Sequence, residues 1–151
     1  MENDSAFMRQ ALALAKQAAD TEEVPVGAVV VADGKVIGRG FNCPISASDP
    51  TAHAEIVAMR DAAERIGNYR LSGCELFVTI EPCTMCLGAM LHARIKRVVF
   101  GAREPRAGAF VSNPMLMDAD HFNHKIEWTE GVLDEHCSEL IKDFFKRRRS
   151  K

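Results

Sequence analysis

His53-Ala54-Glu55 and Pro82-Cys83-Thr84-Met85-Cys86 together supply one imidazole, two thiols and one carboxylate. If these side chains serve one ion, two segments far apart in sequence must meet in the fold. No other feature constrains this chain as strongly. Zinc takes nitrogen and sulfur donors in a tetrahedron, and a catalytic site leaves one position open. His53, Cys83 and Cys86 fill three positions. Glu55 is then left over, and a carboxylate beside a metal-activated water can carry its proton.

The chain has 151 residues, enough for one domain, 1–151, with a hydrophobic core. No apolar run approaches membrane-spanning length, so no membrane association is expected. Glu2 and Asp4 stand where a basic leader would. Five cysteines, sparse and odd in number, do not make a disulfide framework and fit a reducing cytoplasm. A net charge of −2 argues against bulk attraction to nucleic acid, yet leaves room for a local basic surface.

Ser5 to Thr21 reads as an amphipathic helix with Phe7, Ala11, Leu14, Ala15 and Ala18 on one face. Val24 to Ala32 reads as a strand, Asp33-Gly34 as a tight turn, and Lys35 to Phe41 as the returning strand of a hairpin. Asn42 to Thr51 is a polar loop, with Asp49 or Thr51 as the cap of a helix over Ala52 to Ile66. Ile56, Met59 and Ala63 share a stripe on that helix. Glu75 to Ile80, Cys83 to Ala93 and Ile95 to Phe100 read as strand, helix and strand, hence a parallel pair. Gly101 to Asn123 is long and irregular. Lys125 to Thr129 is a candidate fifth strand. Asp134 to Arg148 closes the chain as a helix that buries Cys137, Leu140, Ile141, Phe144 and Phe145. This order predicts an α/β fold, a three-layer α/β/α domain with a mixed sheet.

Cys83 and Cys86 lie three residues apart at a helix start, where both thiols can face one point and the helix end favours thiolate. Zinc with two thiolates and a neutral histidine carries no net charge, so it acidifies water less than an all-histidine site would. That is the physical reason for a nearby proton acceptor, and Glu55 supplies it. The plainer reading is a structural zinc site, or cysteines that only pack. A structural site needs a fourth protein ligand. Cys43, Cys74 and His92 are the only candidates, and none has suitable spacing.

The pattern H-x-E…P-C-x-x-C is a known signature of zinc nucleobase deaminases, with the glutamate as acid/base. Beyond it, the chain resembles the bacterial tRNA-specific adenosine deaminases of the cytidine-deaminase-like superfamily. The resemblance runs through Val24-Pro25-Val26-Gly27-Ala28-Val29, Asp49 to Ile56, Asn68-Tyr69-Arg70-Leu71 and Glu81 to Cys86. It continues in Gly88-Ala89-Met90, Arg97 to Arg103, Asn123-His124 and Asp143-Phe144-Phe145. It implies a five-stranded mixed sheet flanked by helices, a homodimer, and one zinc ion per subunit on His53, Cys83 and Cys86. It implies Glu55 as the catalytic proton shuttle and a tRNA anticodon stem-loop as substrate, with wobble adenosine converted to inosine. Asn42, Ala54, Arg103 and Glu104 are its substrate-contacting positions. The sequence departs from the family at Ala107-Gly108-Ala109 and Phe110-Val111-Ser112-Asn113-Pro114, with Glu104 where aspartate is common.

Asn42 taken alone reads as a turn residue as readily as a ligand. Lys146, Arg147 and Arg148, with Arg149 and Lys151, form a basic end that suits RNA phosphates or a solvated helix terminus. Arg94, Lys96, Arg97, Arg103 and Arg106 are further RNA candidates, expected to sit near the pocket. The competing functions are a deaminase of free bases or nucleosides such as guanine, cytosine or cytidine, and a non-catalytic RNA-binding subunit.

Overall fold

The computed structural model describes residues 2–150, except the side chain of Glu2; Lys151 lies outside them. The sheet opens on a hairpin. Strands β1 (Gly27–Ala32) and β2 (Lys35–Phe41) pair antiparallel across Asp33-Gly34. Both turn residues have positive φ, 51° and 75°, the backbone that matches strand twist in a two-residue hairpin. Strand β3 (Glu75–Ile80) pairs antiparallel with β1 and parallel with β4 (Arg97–Ala102), which pairs parallel with β5 (Glu127–Thr129). The order is β2-β1-β3-β4-β5, the five-stranded mixed sheet expected.

Alternation along the strands divides the core into two layers. Ala28, Val30, Leu76, Val78, Val98 and Phe100 face α3 (Ala54–Ile66) and α4 (Thr84–Ala93). Val29, Val31, Phe77 and Val99 face α1 (Glu2–Asp20) and α5 (Asp134–Arg149). Helices on both faces complete the three layers predicted.

Where boundaries differ from the sequence reading, local chemistry explains it. β1 starts at Gly27 because Val24-Pro25-Val26 forms a three-residue turn, closed by the Val26 N–H donating to the Val24 carbonyl at 2.9 Å. The expected cap Asp49 instead accepts from the N–H and hydroxyl of Thr51, and His53 is the residue that precedes α3. The polar loop holds a short helix, α2 (Pro44–Ala47). β4 starts at Arg97 because Arg94 takes a left-handed conformation and the Ile95 N–H turns back to the Met90 carbonyl, ending α4. On α5, Cys137 and Phe144 are buried as expected, but Phe145 is 42% exposed.

α3 lies unusually close to β2, and glycine permits it. A Cβ on Gly40 would stand 2.6 Å from the Ala54 carbonyl oxygen and 2.6 Å from the Ala58 nitrogen. These are backbone atoms of the first turns of α3, which cannot step aside as a flexible side chain can. Gly40→Ala should therefore cost about 1–3 kcal/mol by overpacking. The measurement is a thermal melt, with the midpoint falling by roughly 2–4 °C per kcal/mol for a chain of this size. An unchanged midpoint would show that the helix does not depend on this approach.

Candidate active site

Both α3 and α4 begin at the carboxyl end of the sheet, where ligands collect in open α/β folds. His53 precedes α3 and Cys83 precedes α4, each with extended backbone, and neither side chain caps its own helix. Both are thus free to turn toward one point. Cys86 lies one helical turn on from Cys83 and joins them. His53 Nδ1 stands 3.6 Å from Cys83 Sγ and 3.5 Å from Cys86 Sγ. The three donor atoms lie within 4.8 Å of one another. Tetrahedral zinc with ordinary Zn–N and Zn–S bonds sets its nitrogen and sulfur ligands about 3.5 Å apart. The donors fit that ion.

The two thiols are driven in opposite directions. The Cys83 thiol is drawn down to about 4, first by the hydrogen bond from Cys86, against burial, and further by His53. The same hydrogen bond, with burial, pushes Cys86 up. His53 rises, mainly through its hydrogen bond to Cys83. The lowered thiol favours thiolate, the form in which cysteine binds a metal. Glu55, in the first turn of α3 and 3% exposed, is not among the three donors. Burial pushes its carboxyl up to about 7, against the lowering effect of its own backbone N–H.

His53, Glu55 and Cys83 open onto a cavity of about 250 Å³. Val24, Val26 and Ile80 give it an apolar side, and Asn42, Glu104 and Ala107 continue the wall. Asn42 fixes its backbone by donating to the Val26 carbonyl at 2.9 Å, which leaves its side chain at the cavity.

Two buried glutamates that the sequence reading assigned no role shape the two irregular walls. The Glu23 carboxylate accepts from the backbone N–H groups of Ile45 (3.3 Å) and Ser46 (2.7 Å), holding the segment after Asn42. Glu81 does more. One oxygen accepts from the N–H groups of Phe110, Val111 and Ser112 at 3.0, 2.7 and 2.9 Å. The other accepts from the Glu104 N–H at 3.0 Å and the Ser112 hydroxyl at 2.5 Å. Burial raises the Glu81 carboxyl, but these donors outweigh it and hold it below its ordinary value. The only sequence hint was a charge set between Ile80 and Pro82 at the end of a mostly apolar strand.

Of the predicted substrate positions, Asn42 and Glu104 line the cavity. Ala54 is wholly buried at the start of α3. The Arg103 guanidinium is turned to Glu130, at 2.7 and 3.0 Å. Arg97 does not serve as a free cation: it is ion-paired with Asp4 at 2.6 Å and Glu75 at 2.8 Å. Arg94 and Lys96 were expected near the pocket, yet they precede β4 and so lie at the opposite end of the sheet. Arg106 is exposed on the loop after Glu104. Lys146, Arg147 and Arg148 are exposed on the last turn of α5, with the Arg148 guanidinium 5.3 Å from the Phe144 ring centre.

Residues 1–102 match the cytidine and deoxycytidylate deaminase zinc-binding region. The chain is 52% identical to a tRNA-specific adenosine deaminase of Haemophilus influenzae over 98% of its own length and 86% of the relative's. It is 39% identical to the tRNA-specific adenosine deaminase of Bacillus subtilis, covering all of this chain and 94% of that one. A solved structure from studies of A-to-I editing by tRNA:A34 deaminases at the wobble position of transfer RNA superposes with a TM-score of 0.87. It is 41% identical, covering 89% of this chain and 98% of that one. The donor triangle fits a zinc-binding deaminase region, the likeness to these relatives runs nearly end to end, and the chain belongs to the tRNA-specific adenosine deaminase family.

Proposed function

We propose that the protein converts adenosine to inosine at the wobble position of a tRNA anticodon, releasing ammonia, through one domain spanning 1–151. The carrying observation is the His53–Cys83–Cys86 triangle with Glu55 buried beside it, in a chain this similar to tRNA-specific adenosine deaminases. Zinc, one ion per subunit on those three donors, supplies the Lewis acidity that makes water nucleophilic near neutral pH. Glu55 takes the proton of the attacking water and delivers it to purine N1 as C6 accepts the oxygen. It then helps protonate the departing amine. Protonating N1 withdraws electrons from the ring as the nucleophile adds, so one carboxylate serves both halves of the step. Asn42, which can donate and accept, holds the nucleoside, and Glu104 stands at the rim. The target base must leave its stack to reach the cavity, and an anticodon loop presents such bases unpaired.

The enzyme acts as a homodimer in the cytoplasm. An apolar groove on the α3–α4 face, lined by Ile56, Met59, Met85 and Ala89, supports the first reading, because a two-fold axis can pair such a face with itself. Cysteines without any disulfide among the described residues support the second. No helix among them is long and apolar enough to cross a membrane.

The test is a deamination assay on zinc-loaded protein, comparing an anticodon stem-loop carrying wobble adenosine with free adenosine, cytidine and guanine. Inosine in the stem-loop, with little turnover of the free compounds, is the expected result. Turnover of a free base without turnover of RNA would overturn the assignment.

A further inference from the structure

Four cations converge at the end of the sheet away from the zinc donors. Arg70 follows α3, Arg94 ends α4, Lys96 precedes β4 and Lys125 precedes β5. They line two adjoining clefts of about 270 and 360 Å³, which share Arg70, Arg94 and His124. Among the described residues, Arg94, Lys96 and Lys125 have no carboxylate partner, and Arg70 reaches only Tyr69. Glu127 is the one acidic side chain in the lining. So many unpaired cations around a concavity, in a chain of net charge −2, make a local field that the total charge conceals.

Arg94 adds an independent sign. It sits at φ 65°, a left-handed conformation that glycine or asparagine adopts at lower cost. Glycine fills the equivalent place after α3, at Gly67. At Arg94 the fold carries a charged side chain where its backbone would favour none. Tyr69, 70% exposed in the single chain and bordering both this cleft and the apolar α3–α4 groove, has the Arg70 guanidinium 5.8 Å from its ring centre and adds an aromatic edge beside the charges. Arginine with an exposed aromatic suits phosphates flanked by bases better than it suits an acidic peptide.

The cleft is tied to the active site in two ways. The ten residues of α4 span about 15 Å between Cys83 and Arg94. The long segment after β4 begins at the cavity wall with Glu104 and Ala107 and ends in the cleft with His121, Phe122 and His124. We propose that this cleft is a second RNA-contacting site, which takes backbone phosphates of the substrate's stem while a loop base occupies the zinc pocket. It rests on the tRNA reading above and extends that reading to a surface outside the catalytic cavity.

The experiment uses zinc-loaded, full-length protein and two stem-loops, one with wobble adenosine and one with guanosine there. Arg94→Gly removes the charge and relieves the backbone, so its melting temperature should equal or exceed the parent's. Its affinity for both stem-loops should nevertheless fall. The triple variant Arg70→Ala/Arg94→Gly/Lys96→Ala should lower the slope of log affinity against log salt by about 2–3, near 0.9 for each phosphate no longer neutralised. It should raise KM on the adenosine stem-loop about tenfold or more, as the weaker hold on the phosphates implies, with zinc content unaltered. Unchanged salt slopes and KM in the triple variant would overturn the proposal. So would weakened binding of a polyglutamate peptide with RNA binding intact, which would give the cleft to an acidic protein. The guanosine stem-loop reports on the cleft even if no RNA is deaminated, whereas parent turnover on the adenosine stem-loop reports on the function itself.

Discussion

Glu55→Ala should keep its fold and its zinc and lose turnover by about 10²–10⁴-fold or more, the usual contribution of a positioned acid/base. The three metal donors are His53, Cys83 and Cys86, so removing the carboxylate leaves the ion's anchorage whole. Glu81, the other buried carboxyl lining the cavity, is held by four backbone N–H groups and the Ser112 hydroxyl and so is not free to take over the proton. Metal analysis and a single-turnover deamination assay on the same sample decide the matter. Full zinc with near-normal turnover would sink the mechanism. Stability gives a second, independent readout. Burial raises this carboxyl from 4.5 to about 7 in the metal-free fold. A raised carboxyl is tolerated while protonated and destabilises the fold as pH climbs from the unfolded value through the folded one. Metal-free Glu55→Gln should therefore melt above the metal-free parent at pH 8, and the two should converge toward pH 5. A difference independent of pH would mean that the buried charge is not its source.

The zinc donors and the hairpin could be read from the chain because their signals are local. Cys83 and Cys86 face one point by helical spacing alone, and Asp33-Gly34 supplies its own backbone preference. Arg94 and Lys96 were misplaced for the opposite reason. Sequence put them beside a strand, but which end of that strand meets the metal is set by the direction of the whole sheet. Phe145 shows the same limit on a smaller scale, since adjacent residues on a helix point about 100° apart and both Phe144 and Phe145 cannot enter one core. Glu23 and Glu81 escaped notice because their partners are backbone groups. Glu81 reaches from the end of β3 to residues 104–112, and no residue pattern records such a contact.

Glu81→Ala should be the most damaging change outside the zinc donors and Glu55. It strips the acceptor from four backbone N–H groups and one hydroxyl at once. Hydrogen bonds to a charged group contribute about 1.5–3 kcal/mol each, but a surface segment opens before the full sum is felt. The expected outcome is local: fast amide exchange at Phe110, Val111 and Ser112, with the core still protected. Catalysis should fall because Glu104 and Ala107 line the cavity on the same segment. Glu81→Gln should fall between, because an amide nitrogen cannot accept and must face one of the N–H donors. Zinc analysis separates loss of the wall from disturbance of nearby Cys83. Parent-like protection of those three amides in Glu81→Ala would show that the wall stands without its carboxylate.

The partners of Glu81 have a bearing on how this enzyme family changes. Every amino acid except proline offers the same N–H, so the grip on residues 104, 110, 111 and 112 is nearly indifferent to which side chains they carry. Gly108 is an exception, since a Cβ there would strike the Glu81 carboxylate, and Ser112 contributes its hydroxyl as well. Phe110, buried against Phe100, and Asn113, whose amide donates to the Pro105 and Gly108 carbonyls, are held as well, which leaves exposed positions such as Arg106 the freest to change. Shape there is secured from beneath, so a change in an exposed side chain of the rim need not move the wall of the cavity.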